Sequence, residues 1–258
     1  EPGRVGEGDC LEVLRALPDG CVDAVVTDPP YASGGLKAGE RVGSTVAKYS
    51  VAHRAADGTW CRRRQPDFAG DAMDQRVWGR WCREWLRECE RALKPGGYCL
   101  AFIDWRQLPT LTDAFQLAGL RWRGVLAWDK TQAAHAPKPG YFRRQCEFVV
   151  WGTRGEVVAR TKAEGGGLFP GALTCPVMRD GKKRHQTQKP VDVMRWLVRC
   201  CPPGGLVLDP FAGSGTTGVA CSLEGRRCLL VEATPAYAAI ARERVARAVE
   251  SGLLSAGA

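Results

Sequence analysis

Long apolar runs, paired metal-ligand cysteines and histidines are scarce or missing in this chain. No stretch of its 258 residues approaches the roughly 18 to 20 consecutive apolar residues of a membrane-spanning helix. The twelve cysteines include no C-x-x-C pair, and the three histidines are not at metal-ligand spacing from them. The first residues also lack the basic head and apolar run of a secretory signal. The sequence therefore argues against a membrane protein, a zinc module and a disulfide scaffold, and it predicts no metal site.

The overall composition is that of an ordinary globular protein. Apolar residues make up 45% of the chain and charged residues 25%, and the length is enough for one sizeable hydrophobic core. Because the cysteines are scattered, we interpret most of them as small buried apolar side chains in a reducing compartment. The expected location is the cytoplasm.

All of the excess positive charge lies in two segments. The chain carries 37 basic and 28 acidic residues, a net charge of +9. Residues 32–70 hold seven basic and three acidic side chains, residues 152–189 hold eight and three, and the remainder is neutral. Both segments are glycine-rich and lack apolar periodicity, so we expect basic loops at 32–72 and 152–188 within a single domain of residues 1–258. Such loops favour a polyanionic partner, with charge that merely keeps loops soluble as the alternative.

Short apolar runs alternate with helical patterns along the chain. Strands are expected at Val22–Thr27, 98–103, 123–128, 146–151, 206–208 and 228–231, and helices at 75–93, 110–118, 191–200, Thr216–Leu223 and 235–249. In the first of these helices Val77, Trp81, Trp85, Cys89 and Leu93 recur at near-helical spacing and predict its buried face. The alternation predicts a mostly parallel sheet with helices on both faces.

A glycine-rich turn follows one of the expected strands near the end of the chain. The segment LVLDPFAGSGTTG places Gly213, Gly215 and Gly218 after a strand that ends at Asp209, and the next strand ends at Glu232. Glycines allow a ligand to approach the backbone closely, and an acid after the second strand can accept hydrogen bonds from ribose hydroxyls. The pattern predicts a nucleoside-type cofactor. Too few residues follow it to complete the sheet, so the missing strands must come from the N-terminal part and the order is circularly permuted.

A second strand-to-loop junction carries the sequence VVTDPPY. Asp28, Pro29, Pro30 and Tyr31 follow directly after a buried strand. Proline fixes φ and has no N–H group, so the carbonyls of this turn have few internal partners. A carboxylate beside a free carbonyl provides two acceptors, and the ring of Tyr31 provides a stacking surface. This set fits an exocyclic amino group on a flat base, whereas a stiff surface turn is the structural alternative.

Together these motifs resemble a known enzyme family. DPPY near the start, HQTQKPVDVM, and DPFAGSGTTG near the end resemble the amino-group DNA methyltransferases of permuted order, called the beta class. The resemblance covers residues 5–31 and 185–250. It implies a Rossmann-like α/β fold with a mostly parallel seven-stranded sheet, and S-adenosylmethionine as cofactor.

The resemblance also assigns roles to individual residues. It implies that Asp28, Pro29, Pro30 and Tyr31 form the catalytic motif. It implies that the cofactor contacts Asp9 and Cys10 at the adenine ring, Glu232 at the ribose, Lys189 near the methionine end, and Asp28, Asp209, Phe211, Ala212, Gly213, Ser214, Gly215 and Thr216 elsewhere. In contrast to many family members, no second acid follows Glu232.

The expected reaction is methyl transfer to the exocyclic N6 of an adenine flipped out of the DNA stack. Asp28 and the Pro29 carbonyl would accept the amino hydrogens, and Tyr31 would stack on the base. Asp before Pro-Pro-Tyr favours adenine N6 over the N4 of cytosine, which stays as the alternative. DNA contacts are expected from the basic side chains of the two loops, namely Lys37, Arg41, Arg62, Arg63, Arg64, Lys182, Lys183, Arg184 and His185.

Other functions share parts of this pattern. A methyltransferase acting on RNA or on a protein amide would use the same cofactor site. A dehydrogenase would explain the glycines but leave DPPY unused, and a DNA-binding module without activity would explain only the charge. The sequence leaves open the target site, a homodimer and a cognate restriction enzyme.

Overall fold

The computed structural model describes residues 3–32, 52–54, 60–62, 73–132, 139–162, 164–177 and 188–256. Its strands are β1 (Gly3–Glu7), β2 (Val22–Thr27), β3 (Ala52–Arg54), β4 (Trp60–Arg62), β5 (Leu93–Ile103), β6 (Arg121–Asp129), β7 (Cys146–Thr153), β8 (Ala172–Thr174), β9 (Leu206–Asp209) and β10 (Arg227–Glu232). Its helices are α1 (Cys10–Ala16), α2 (Gln75–Ala92), α3 (Leu108–Leu117), α4 (Val191–Val198), α5 (Thr216–Leu223) and α6 (Pro235–Ala256).

The central sheet is mixed and has the strand order β1-β10-β9-β2-β5-β7-β6-β8. The first five strands of this order run parallel, and β7 runs antiparallel to both of its neighbours. The expected fold class is confirmed, although the sheet has eight strands rather than seven. The extra strand is the three-residue β8, which pairs with β6 and is too short to show periodicity.

Helices cover both faces of the sheet, as expected. On one face α1, α2 and α3 bury Leu14, Trp85 and Phe115 against β2, β5 and β9. On the other face α4, α5 and α6 bury Trp196, Cys221 and Val245. No helix of the described ranges is long and apolar enough to span a membrane.

The buried face of α2 differs from the expected one. Val77 is 58% exposed, whereas Trp78, Cys82 and Trp85 are fully buried. Trp81 is only partly buried against the same core. The apolar stripe therefore starts one residue later than near-helical counting from Val77 predicts, because the first turn of the helix projects beyond the sheet.

The two expected basic loops contain regular structure. β3 and β4 form an antiparallel pair inside 32–72, and 152–188 begins within β7 and contains β8. Two basic side chains of the second segment are bound to the protein itself. Arg154 donates to the carbonyls of Arg91 and Leu93, and Arg160 donates to the carbonyl of Cys200.

Candidate active site

Acidic side chains collect at the edge of the sheet where the parallel strands end. Asp28, Asp104, Asp209 and Glu232 each end or directly follow a strand of that set. Because β7 is antiparallel, its first residues lie at the same edge, and Phe148 pairs with Ile103 there. This places Glu147 beside the others. The carboxyl edge of an open parallel sheet is where such folds bind ligands.

The Asp28 carboxylate is held by two side chains from different parts of the chain. The Tyr31 hydroxyl donates to Asp28 Oδ1 at 2.5 Å, and Lys189 Nζ donates to Asp28 Oδ2 at 2.6 Å. Lys189 Nζ also lies 3.1 Å from the Tyr31 hydroxyl and 5.4 Å from the centre of its ring. Burial raises the pKa of Asp28, and the Lys189 ammonium opposes that rise. The catalytic motif expected from the sequence is therefore a compact, charge-paired cluster.

The position of Lys189 differs in emphasis from its expected role. The sequence placed it near the methionine end of a cofactor, whereas the structure pairs it with Asp28 and Tyr31 of the DPPY turn. Its side chain is only 8% exposed. The two carboxylates around it raise the pKa of Lys189 despite burial, so it stays a cation.

Glu147 and Lys130 belong to the same cluster and were missed by the sequence analysis. Lys130 Nζ donates to Glu147 Oε1 at 3.1 Å, and Lys189 Nζ lies 3.4 Å from Glu147 Oε2. Both ammonium groups lower the pKa of the buried Glu147 carboxyl, which outweighs the opposing effect of burial. No local motif marks either residue, and the only signal was an acid at the start of an otherwise apolar strand.

Helix α2 anchors the DPPY turn from below. The indole N–H of Trp78 donates to the Pro30 carbonyl at 2.7 Å, and Trp78 is fully buried. Within the part of the chain that the structure describes, no hydrogen bond reaches the Pro29 carbonyl. One carbonyl of the turn is thus fixed to the scaffold, and the neighbouring carbonyl is left as a free acceptor beside Asp28.

Asp209 joins the DPPY strand to the glycine turn. It accepts hydrogen bonds from the hydroxyl of Thr27 at 2.6 Å, from the hydroxyl of Thr217 and from the N–H of Phe211 at 3.0 Å. Burial raises the pKa of Asp209 to about 6, against the lowering effect of these donors. Because Thr27 immediately precedes Asp28, one buried acid fixes the spacing between the two motifs.

The glycine turn is shaped by Gly215 and by the acid at the end of β10. Gly215 has φ +78°, and a Cβ there would lie 2.9 Å from the Ala241 backbone, so only glycine fits. Glu232 accepts from the N–H of Gly213 at 2.8 Å and of Thr234 at 2.9 Å. The pKa of Glu232 is raised by burial. Each of its oxygens keeps a lone pair for a further donor.

Residues on both sides support the turn. Arg244 of α6 donates to the carbonyl and hydroxyl of Ser214 and to the hydroxyl of Thr216, and Ala212 is buried. Phe211 lies with its ring centre 5.3 Å from those of Trp81 and Trp85. The tryptophans, which the sequence analysis took as packing residues, form the wall behind an expected cofactor residue.

Asp9 and Cys10 lie at the start of α1, beyond β1. The Asp9 carboxylate caps the helix by accepting from the N–H groups of Leu11 and Glu12, and the Gly8 N–H donates to the Glu232 carbonyl. Burial raises the pKa of the Cys10 thiol to about 12, so this thiol is not a nucleophile. The expected contact of both residues with an adenine ring stays a prediction.

The residues above fit a nucleoside cofactor with a charged tail. The glycine N-cap leaves the first N–H groups of α5 without a side-chain cap, and Glu232 supplies a buried acceptor for hydroxyl groups. Among the described residues, no group of three or more His, Cys, Asp or Glu side chains is placed to hold a metal ion.

The expected DNA contacts mostly lie outside the described residues. This applies to Lys37, Arg41, Arg63, Arg64, Lys182, Lys183, Arg184 and His185, whereas Arg62 lies in β4 without a described side chain.

Comparison with known proteins gives a consistent result. The sequence model of the DNA methylase family N6_N4_Mtase matches residues 22–243. YubD of Escherichia coli (strain K12) is 29% identical over 250 residues, covering 95% of this chain and 92% of its own. The type II methyltransferase M.XycI of Xanthomonas campestris pv. cyanopsidis is 32% identical over 276 residues, covering 93% and 86%.

Solved structures match over nearly the full length. TTHA0409 of Thermus thermophilus, a DNA modification methylase in name, was solved in complex with S-adenosyl-L-methionine; it gives a TM-score of 0.67 at 23% identity, with 96% of each chain covered. The cytosine-N4-specific PvuII DNA methyltransferase gives 0.68 at 18% identity, with 98% of this chain and 93% of its own covered. At these identities the structures support the shared fold.

Proposed function

Because the chain belongs to the N6-adenine and N4-cytosine DNA methylase family, we propose that it methylates the exocyclic N6 of adenine in DNA. The observation that carries the proposal is the buried Asp28 carboxylate, fixed beside Tyr31 and joined through Thr27 and Asp209 to the glycine turn. This arrangement holds an amino-group acceptor next to a nucleoside site. S-adenosylmethionine, when bound, supplies an electrophilic methyl group on a sulfonium.

The cofactor is held by the glycine turn and the acid after β10. Glu232 accepts from the ribose hydroxyls, and the turn from Asp209 to Thr216 surrounds the methionine portion. Asp9 and Cys10 border the adenine ring. The fit rests on the buried, only partly satisfied Glu232 carboxylate and on the uncapped N-terminus of α5.

The protein prepares the amino group of the base for attack. An exocyclic amino nitrogen is a weak nucleophile because its lone pair is delocalised into the ring. Asp28 and the Pro29 carbonyl accept its two hydrogens, which draws the nitrogen toward tetrahedral geometry, and Tyr31 stacks on the flipped base. Burial strengthens these hydrogen bonds, so positioning and electrostatics supply the acceleration. Tyr31 stays protonated, since burial and Asp28 raise its pKa well above the usual range.

Adenine is favoured by the aspartate that precedes Pro-Pro-Tyr. Cytosine N4 is the second candidate, because the PvuII enzyme, which is cytosine-N4-specific, shares the fold across 98% of this chain. Both bases present an amino group, so the cluster around Asp28 serves either.

DNA binding is assigned to the two basic segments. Lys182, Lys183 and Arg184 are a run of three cations suited to phosphates, and every phosphate that a protein neutralises makes its DNA affinity more dependent on salt. Replacing all three with alanine should therefore reduce the slope of log affinity against log salt. The similarity to a type II methyltransferase supports a role beside a restriction enzyme, and the cytoplasm is the proposed location.

The proposal is tested by nucleoside mass spectrometry of unmethylated DNA incubated with the protein and S-adenosylmethionine. We expect N6-methyladenine with the wild type and at least a 1,000-fold lower rate, by order of magnitude, with Asp28→Ala. Cofactor affinity should stay within about threefold, since Asp28 acts on the base.

Three other outcomes are informative. N4-methylcytosine would keep the mechanism and replace the base. Near-normal turnover by Asp28→Ala would refute the role of Asp28. The absence of any methylated base in DNA would redirect the same assay to RNA and protein substrates.

A further inference from the structure

One ammonium group is shared unequally by two buried carboxylates next to the DPPY turn. Lys189 Nζ lies 2.6 Å from Asp28 Oδ2 and 3.4 Å from Glu147 Oε2. Only the shorter contact has hydrogen-bond geometry, because Glu147 Oε2 is buried without a hydrogen-bond partner. Lys189 is thus bound to Asp28, with an unfilled acceptor within a small displacement of its side chain.

Glu147 is held in place while that acceptor stays open. Its other oxygen, Oε1, accepts from Lys130 at 3.1 Å, and the backbone of Lys130 is tied to Gln145 at the other end of the hairpin between β6 and β7. The side chain of Glu147 is 22% exposed. A fixed, buried carboxylate with a free oxygen is costly unless a cation approaches it.

Base entry conflicts with the observed position of Lys189. Both oxygens of Asp28 are occupied, Oδ1 by the Tyr31 hydroxyl and Oδ2 by Lys189. The proposed chemistry requires an Asp28 oxygen to accept an amino hydrogen. An ammonium displaced from Asp28 into a buried site without a partner would be strongly unfavourable.

We propose that Lys189 is a positioning residue that occupies Asp28 in the base-free enzyme and transfers to Glu147 when the amino group of the target base enters. This inference rests on the proposed function. The ring of Phe102, 5.0 Å from Lys189 Nζ, and the ring of Tyr31 border the ammonium. They favour a cation at either position. Glu147 is the carboxylate that releases Asp28 for the base.

The central test is Glu147→Gln, with Glu156→Gln as the matched control. Gln keeps the length of Glu147 but not the charge, so Lys189 favours Asp28 alone and the base must compete with it. Glu156 also pairs with two basic side chains, Arg121 and Arg123, but lies after β7 at the far edge of the sheet. We expect the KM for DNA to rise about tenfold in Glu147→Gln, with kcat within about threefold, and no change in Glu156→Gln.

Two further variants separate exchange from damage. Glu147→Asp keeps the charge and withdraws it by one methylene, so its KM should lie between those of the wild type and Glu147→Gln. In Lys189→Met/Glu147→Gln the competitor for Asp28 is gone, so at about pH 8.5, where a buried carboxyl ionises, the KM for DNA should fall back toward the wild-type value. Binding of S-adenosylmethionine, measured by calorimetry, serves as the check on folding.

The outcomes distinguish the exchange from the proposed function. A KM in Glu147→Gln equal to that of Glu156→Gln would overturn the exchange. So would a double variant whose KM stays as high as that of Glu147→Gln, because the effect of Glu147 would then not depend on Lys189. Failure of the wild type to methylate DNA in the same assay would instead refute the proposed function, before any variant is compared.

Discussion

At the scale of single residues, Asp209 shows how a buried acid couples structure to pH. The acid is 2% exposed and has a pKa of about 6, above the value near 3.9 of an unfolded chain. The folded protein therefore binds the proton more tightly than the unfolded chain. This contribution to the free energy of unfolding is complete below about pH 4 and is lost as the pH rises through about 6.

The corresponding prediction compares the wild type with Asp209→Asn. Between about pH 4 and pH 7, the free energy of unfolding of the wild type should fall relative to that of the variant by about 2 to 3 kcal/mol. Urea unfolding at a series of pH values measures this difference. Glu164→Gln is the control of opposite sign, because hydrogen bonds from Thr161 lower the pKa of the exposed Glu164. A pH-independent difference for Asp209→Asn would show that the acid is ionised throughout.

At the scale of elements, helix α2 determines how rigid the DPPY turn is. The turn has two consecutive prolines and so few N–H groups of its own, and the indole of Trp78 supplies the missing donor to Pro30. The same helix places Trp81 and Trp85 against Phe211. One helix thus contacts both the DPPY turn and the glycine turn.

We predict that Trp78→Phe lowers kcat about tenfold and leaves the affinity for S-adenosylmethionine within about twofold. The hydrogen bond that this variant lacks is worth about 1 to 1.5 kcal/mol and acts on the position of the turn. Trp196→Phe is the matched control, since the indole of Trp196 also donates to a proline carbonyl, that of Pro170, but on the other face of the sheet. Steady-state kinetics of both variants decide the matter: equal losses of kcat would mean that only general stability is involved.

At the scale of the whole molecule, the site exists only where the two ends of the chain meet. β2, near the start, pairs with β9, near the end, and the hydrogen bonds from Thr27 to Asp209 and from Lys189 to Asp28 join distant parts of the sequence. A ligand held by the glycine turn should therefore stabilise the entire fold.

The prediction at this scale is a thermal shift. At about 100 times its Kd, S-adenosylmethionine should add about 2.7 kcal/mol to the free energy of unfolding. For a chain of this size that raises Tm by roughly 5 to 10 °C. Asp28→Ala should keep the shift, whereas Glu232→Gln should lose more than half of it, because Glu232 is the proposed ribose acceptor. An undiminished shift in Glu232→Gln, followed by differential scanning fluorimetry, would remove Glu232 from the cofactor site.

The sequence by itself determined the fold class, the permuted order and the two central motifs. Turn chemistry is local: Pro-Pro after an acid and closely spaced glycines after a strand prescribe backbone shapes wherever they stand, and apolar periodicity marks the buried faces. Where periodicity was weak, as at β8 and in the first turn of α2, the prediction missed a strand or shifted the buried face.

Only the tertiary structure decided which side chains share the site. Glu147, Lys130 and Trp78 have no local signature, since each reaches the DPPY turn through the strand order, the reversed direction of β7 or the packing of α2. Lys189 moved from an expected cofactor contact to the partner of Asp28 for the same reason. A buried charge takes whichever opposite charge the sheet brings within reach, and that choice depends on the assembled strands rather than on the neighbouring sequence.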